Sequence, residues 1–355
     1  MEVTETAASA ERHGDLPAVL HACGFPRWKR PIVRQCFPGK EIIFVPKGRE
    51  APPGAALLLW GASALPPATA PGNTVIRLED GFLRSVGLGA DIVRPLSWVA
   101  DRQGIYYDAT RPSELETLLA THKFTREERQ RAADLRARIV EGGLTKYNVG
   151  QRRWQRPHNN RRVILVPGQV ETDASIAYGC PGEKTNMGLL RAVRDLHRDA
   201  YLVYKPHPDV VARLRLPGQG EHEAHRWCNE VVVDAVMADL IAEVDEVHVL
   251  TSLAGFEALL RGKPVSCYGQ PFYSGWGLTH EFLPQLRRGR HLKLDDLVAG
   301  ALIAYPLYLS RDGSRLISPE EAIESLLAWR HSTGGREPWW RGIYRVFVRW
   351  IAGVR

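Results

Sequence analysis

The sequence holds no run of eighteen apolar residues, so no segment is expected to cross a bilayer as a helix. Its first residues, Met1, Glu2, Val3, Thr4 and Glu5, lack the basic and apolar regions of a signal peptide. Cysteine is scarce. Cys23, Cys36, Cys180, Cys228 and Cys267 are scattered, odd in number and without metal-ligand spacing. They predict reduced thiols in a cytoplasmic protein, with no metal or cofactor. A broad basic surface is also lacking. The net charge is +7, but residues 336–355 hold Arg336, Arg341, Arg345, Arg349 and Arg355 against Glu337 alone, which is four of the seven charges. This concentration argues against nucleic acid as a partner.

What remains is an ordinary folded composition, 44% hydrophobic and 25% charged, over 355 residues, enough for two domains. In the first half, EIIFV, AALLLWG and TVIRLEDG are strand candidates punctuated by Pro and Gly clusters. A loop-rich stretch follows, then GIYYD as a strand and a helix with Pro112 near its start. FTREERQRAADLRARIVEGG predicts a long charged helix ending on paired glycines. The polar stretch LTKYNVGQRRWQRPHNN marks a domain boundary near residue 150. In the second half RRVILVPG, YLVY, VVVD, EVHVL and PVSCYG are strands alternating with helices, and Ser318 before Pro319 is an N-cap candidate. The alternation implies βαβ units. The expected fold class is α/β and GT-B-like: two Rossmann-like domains, 1–150 and 151–318, with parallel sheets facing a central cleft, then C-terminal helices over 319–355.

Candidate site residues fall at predicted strand ends, where open α/β sheets bind ligands. YLVYKPHPDV runs into Lys205, Pro206, His207 and Pro208, and the prolines stiffen the backbone around the imidazole for contact with a phosphate. The plainer alternative is a solvated turn. TVIRL ends in Glu79, Asp80 and Gly81, an acid/base pair or again a turn, with Gly81 allowing it to be sharp. VILV ends in PGQVETDAS, with Gln169 and Asp173; a carboxylate here is a nucleophile or base, or else a helix cap. Thr251 and Ser252 follow VHVL and open a helix, either as an anion site or as ordinary caps. Glu257 is placed to reach a ribose hydroxyl, or lies at the surface. In YGQPFYSGWGLT, Gln270, Tyr273 and Trp276 suit sugar or base stacking, against a plug of the core.

Taken in order, EDGFLRSVGLG, KYNVG, VPGQVETDAS, YKPHPDVV, TSLAGFEALLRG and YGQPFYSGWGLT resemble the capsular-polysaccharide β-Kdo transferases of the KpsC type. The likeness runs from about Gly24 to about Tyr308 and is nearest to the carboxyl-terminal of that enzyme's two modules; this chain reads as a single module. The resemblance implies a retaining transferase that moves Kdo from CMP-β-Kdo to a lipid-linked Kdo acceptor. The first domain would then face the acceptor and the second bind CMP-Kdo. Asp173 is expected as nucleophile, with Asp80 and Glu79 deprotonating the acceptor, or with the roles exchanged. Lys205, His207, Pro208, Thr251, Ser252, Gln169 and Glu257 are expected at the donor, and Arg84 at the Kdo carboxylate. An inverting CMP-sugar transferase of sialyltransferase type and a non-catalytic binding module are the alternatives. In the tail, Trp340, Ile343, Tyr344, Phe347 and Ile351 share a helical face beside Arg341, Arg345 and Arg349. This predicts peripheral binding to the anionic inner face of the cytoplasmic membrane, against a helix packed on the body.

Overall fold

In the computed structural model, residues 16–333 are described, apart from 67, 68, 70, 71, 88–92, 151, 159 and 160. The tail expectation therefore lies outside the described residues. The first half supplies β1 (Val19–Cys23), α1 (Arg30–Cys36), β2 (Glu41–Val45), β3 (Ala56–Trp60), β4 (Val75–Asp80), β5 (Ser97–Asp101), α2 (Glu114–Thr121) and α3 (Arg126–Glu141). The second supplies β6 (Val163–Pro167), α4 (Ala174–Gly179), α5 (Asn186–Leu196), β7 (Tyr201–Lys205), α6 (Pro208–Val211), β8 (Glu230–Val231), α7 (Met237–Glu243), β9 (Glu246–Val249), α8 (Leu253–Leu260), β10 (Val265–Cys267) and β11 (His280–Glu281). After α9 (Leu294–Val298) and a π-helical stretch come β12 (Pro306–Leu309), β13 (Leu316–Ile317) and α10 (Pro319–Thr333).

The second sheet, β11-β10-β9-β6-β7-β8, is parallel throughout. Its central strand β6 is buried along its whole length, as its unbroken apolar run predicts. The first sheet corrects the expectation of two parallel sheets. Its order is β13-β12-β5-β4-β3-β1-β2, and only β2, β1, β3 and β4 run parallel. Between β4 and β5 no helix is described to carry a crossover, and β5 returns antiparallel. Strand β12 adds antiparallel to β5, and β13 to β12. Residues 306–317, expected with the second half, thus complete the sheet of the first. Two further expectations shift. GIYYD is a turn segment, and the strand is the preceding SWVAD; VVVD shortens to the two-residue β8.

Thr125 and Glu128 form a capping box at the start of α3. The arginines of this helix point at the chain's later segments. Arg129 and Arg136 pair with Asp296 and Asp295 on α9, and Arg131 and Arg138 with Glu320 and Glu324 on α10. Ser318 does cap α10: its Oγ accepts from Glu321 N, and Ser318 N donates to Glu321 Oε2. One hydrophobic cluster runs through both halves, from Phe82, Val99 and Leu119 in the first to Leu165 and Val247 in the second sheet. Phe82 lies 4.5 Å from Phe272 and 6.1 Å from Phe256 between ring centroids. The halves are therefore joined by packed aromatic rings.

Candidate active site

The carboxylates at the end of β4 sit in unlike surroundings. Asp80 Oδ2 accepts from Arg84 Nε at 2.7 Å, and Arg84 is buried, with Nη1 on Ser85 Oγ at 3.0 Å. Glu79 receives Tyr107 Oη at 3.3 Å and the Asp80 amide at 3.0 Å. Burial first, and the neighbouring Asp80 charge second, push the Glu79 carboxyl up to about 7. Buried Lys29, stacked on Trp60, is pulled down to about 8 by burial, against the opposing pull of Asp80 and Glu79. Gly81 is needed for a reason other than a sharp turn. A Cβ there would stand 2.6 Å from Ser97 Oγ on the neighbouring strand.

His207 follows β7 and takes the N-cap position of α6. Its Nδ1 accepts the Asp209 amide at 3.2 Å, so the ring proton resides on Nε2, which has no hydrogen-bond partner among the described residues. Burial, with Lys146, Arg215 and Lys205 around it, lowers His207 to about 3. The ring is a neutral donor. Pro208 begins α6, as its fixed φ suits. Lys205 turns to the Val233 carbonyl at 3.0 Å, and burial lowers it to about 8.

Asp173 occupies the N-cap position of α4, yet its side chain accepts no hydrogen bond from the helix. The capping alternative is thereby removed. Burial raises its pKa, opposed by the positive charges of Arg215 and Lys146. Gln169 serves Thr251: Oε1 accepts Thr251 N at 2.9 Å and Nε2 donates to Thr251 Oγ1 at 3.1 Å. Ser252 Oγ accepts the Ala254 amide at 3.2 Å and caps α8. Glu257 is buried, and its Oε1 accepts the Lys146 amide at 2.7 Å; burial lifts it to about 6. It holds the KYNVG segment rather than lying at the surface.

Tyr147 links the two strand-end groups. Its ring lies 6.0 Å from the Arg84 guanidinium and 6.0 Å, edge to face, from His207, with Lys146 Nζ 5.1 Å away. Asp80, Arg84, Tyr147 and His207 so form one chain of contacts from the first sheet to the second. Lys29, Tyr107, Lys146, Tyr147 and Arg215 were not singled out from the sequence. The signal for two of them was present, since Lys146 and Tyr147 open KYNVG. The aromatic expectation needs correction. Tyr273 and Trp276 are both fully buried, Tyr273 bonded to the Ser252 carbonyl and Trp276 Nε1 to the Phe272 carbonyl at 2.8 Å. They plug the core beneath the loop and expose no face to a sugar. Gln270 is spent on the Leu283 and Pro284 carbonyls and on Gln285. Among the described residues, the one His/Cys/Asp/Glu group close enough to hold a metal ion lies elsewhere, at His197, Glu246 and His248.

A family model described as "Capsule polysaccharide biosynthesis protein" matches residues 64–137 and 122–309, well over half of the chain. The chain belongs to the capsule polysaccharide biosynthesis family. Within it, the chain is 39% identical over 354 residues to the capsule polysaccharide modification protein LipA of Neisseria meningitidis serogroup B, covering 97% of this chain and 50% of LipA. It thus spans about half the length of that relative. Two solved structures from Thermosulfurimonas dismutans are similar. KpsC, described as a beta Kdo 2,7 transferase, is 39% identical, with a TM-score of 0.71 over 88% of this chain and 99% of its own. KpsC, described as a beta Kdo 2,4 transferase, is 32% identical, with a TM-score of 0.74 over 86% and 97%. In this member of the capsule family, EDG, HP and the Thr251-Ser252 pair stand at the ends of β4, β7 and β9.

Proposed function

We propose that the chain is a retaining β-Kdo transferase of GT-B type, moving Kdo from CMP-β-Kdo to a lipid-linked Kdo acceptor in capsular linker synthesis. The likeness to the KpsC structures supports Kdo as the sugar. The observation that carries the mechanism is Asp173, an N-cap residue whose carboxylate is left free of capping and feels the positive charges of Arg215 and Lys146. Its carboxylate attacks the anomeric carbon while the bond to CMP breaks. His207 Nε2–H, with the Thr251 and Ser252 end of α8, receives the departing phosphate. The acceptor hydroxyl then attacks the aspartyl-Kdo carbon, its proton passes to Glu79, whose carboxylate burial has made more basic, and Asp173 is released. Asp80 holds Arg84 toward the Kdo carboxylate. No step needs a metal ion.

Incubation with donor alone and intact-protein mass spectrometry test this. Wild type should gain one Kdo mass, and Asp173→Asn should bind CMP yet show neither adduct nor transfer. An adduct that persists in Asp173→Asn and maps to Asp80 makes Asp80, not Asp173, the nucleophile. Turnover of CMP-Kdo without any adduct, giving the inverted anomer, supports the sialyltransferase-like alternative. Absence of turnover with every Kdo acceptor supports a binding module.

A further inference from the structure

At the edge of the second sheet where its strands begin, three side chains converge. His197 ends α5, and Glu246 and His248 alternate along β9, which places them on one face of the sheet. Their ligating atoms, one on each residue, all lie within 4.8 Å of one another. His197 Nε2, Glu246 Oε1 and His248 Nε2 are each buried and without a hydrogen-bond partner. Glu246 is 4% exposed and His248 1%. Three such atoms meeting at one point is an unusual arrangement, because buried polar atoms are otherwise paired. His248 Nε2 stands 3.4 Å from Glu246 Oε1, but not in hydrogen-bond geometry.

The outward-facing atoms of the same residues are occupied. His248 Nδ1 is 3.4 Å from Tyr268 Oη, and Glu246 Oε2 is bonded to Arg162. A proton on Nδ1, given to Tyr268, leaves the Nε2 lone pair aimed inward. This is how the outer partners of metal-bound histidines fix the ring. We propose that His197, Glu246 and His248 form a binding site for a zinc-like divalent transition ion, with water completing the coordination. Two imidazoles and one carboxylate suit such an ion better than calcium or magnesium, which favour oxygen ligands. Bonds of about 2.0–2.2 Å in a tetrahedral site put ligand atoms about 3.4 Å apart, the separation His248 Nε2 and Glu246 Oε1 already have, so His197 must move in from within 4.8 Å. Half-buried His197, at the end of its helix, has the freedom to do so. The ion would fasten the end of α5 to β9, on the opposite edge of the sheet from Asp173 and His207. It is a structural site, not part of the transfer chemistry.

The test uses the full chain, stripped with a chelator and titrated separately with Zn2+ and Co2+. Wild type should retain one equivalent of zinc through gel filtration, melt at a higher temperature with zinc, and show the visible bands of four-coordinate cobalt. His197→Ala and Glu246→Gln should each abolish the cobalt bands and the melting shift. Tyr268→Phe should keep the site but weaken it by about 10-fold or more. Wild type that retains no zinc overturns the proposal, as does zinc held equally well by His197→Ala and Glu246→Gln. If Glu246→Gln fails to fold, His197→Ala, which alters only a half-buried ring, decides alone.

Discussion

Glu79 and Asp80 are neighbours on one strand, yet only Asp80 has a cation bonded to it. The folded protein holds the Glu79 proton up to about 7, from an ordinary 4.5, so ionised Glu79 is penalised by folding. This group's contribution therefore declines as pH rises from the unfolded value through 7. Glu79→Gln removes the penalty. Denaturant titrations should find it more stable than wild type by about 1–2 kcal/mol at pH 8, allowing for partial solvent access, and no more stable at pH 4. Under the proposed mechanism the same variant should lose the rise in transfer rate between pH 6 and 8. The residues proposed to receive the phosphate divide differently. His207→Ala should weaken CMP binding by roughly 1–3 kcal/mol in calorimetry. Ser252→Ala should in addition lower stability by about 1 kcal/mol, because Ser252 caps α8. CMP titrations matching wild type would leave both residues with structural roles only. Residue types at strand ends were legible in the sequence. Their partners were not: that Asp173 would cap nothing, or that Glu257 would hold the Lys146 amide, depends on contacts over long sequence separations.

At the scale of elements, the aromatic loop and helix α2 both act as structure. Trp276 is fully buried, so Trp276→Ala should cost about 3–5 kcal/mol in unfolding free energy. A loss of acceptor affinity with unchanged stability would instead restore its binding role. Glu116 on α2 meets Arg287 at 2.8 Å and buried Arg288 at 2.9 Å from the segment after β11. Glu116→Ala strands the Arg288 charge and should cost a further ~3–5 kcal/mol, measured in the same way. The strands with continuous apolar runs, β3, β6 and β7, could be read directly, because burial on both faces leaves a plain signal. Strands β1, β5 and β12 could not. SWVAD places Asp101 inside, where it is stabilised by the Gln103, Gly104 and Glu114 amides and by Tyr305. PLYL follows a helical pattern so closely that only Pro306 marks the change.

For the whole molecule, the basic aromatic tail gives the last prediction. Under the proposed function, a lipid-linked acceptor would favour an enzyme held at the membrane, so the full chain should co-sediment with anionic vesicles, less so as salt rises. Deletion of residues 336–355 should abolish this and leave transfer to a soluble acceptor intact; unfolding of the truncated protein, or undiminished co-sedimentation, would make the tail structural. The return of β12 and β13 to the first sheet has a separate consequence, for biosynthesis. That sheet is discontinuous in the chain: five strands are complete by Asp101, and its last two arrive only at 306–317. During translation, at about 5–20 residues per second, the edge of β5 waits roughly 10–40 s for its neighbour. Over that interval it is an open strand edge able to pair with other nascent chains, a point at which a ribosome-associated chaperone would protect the polypeptide.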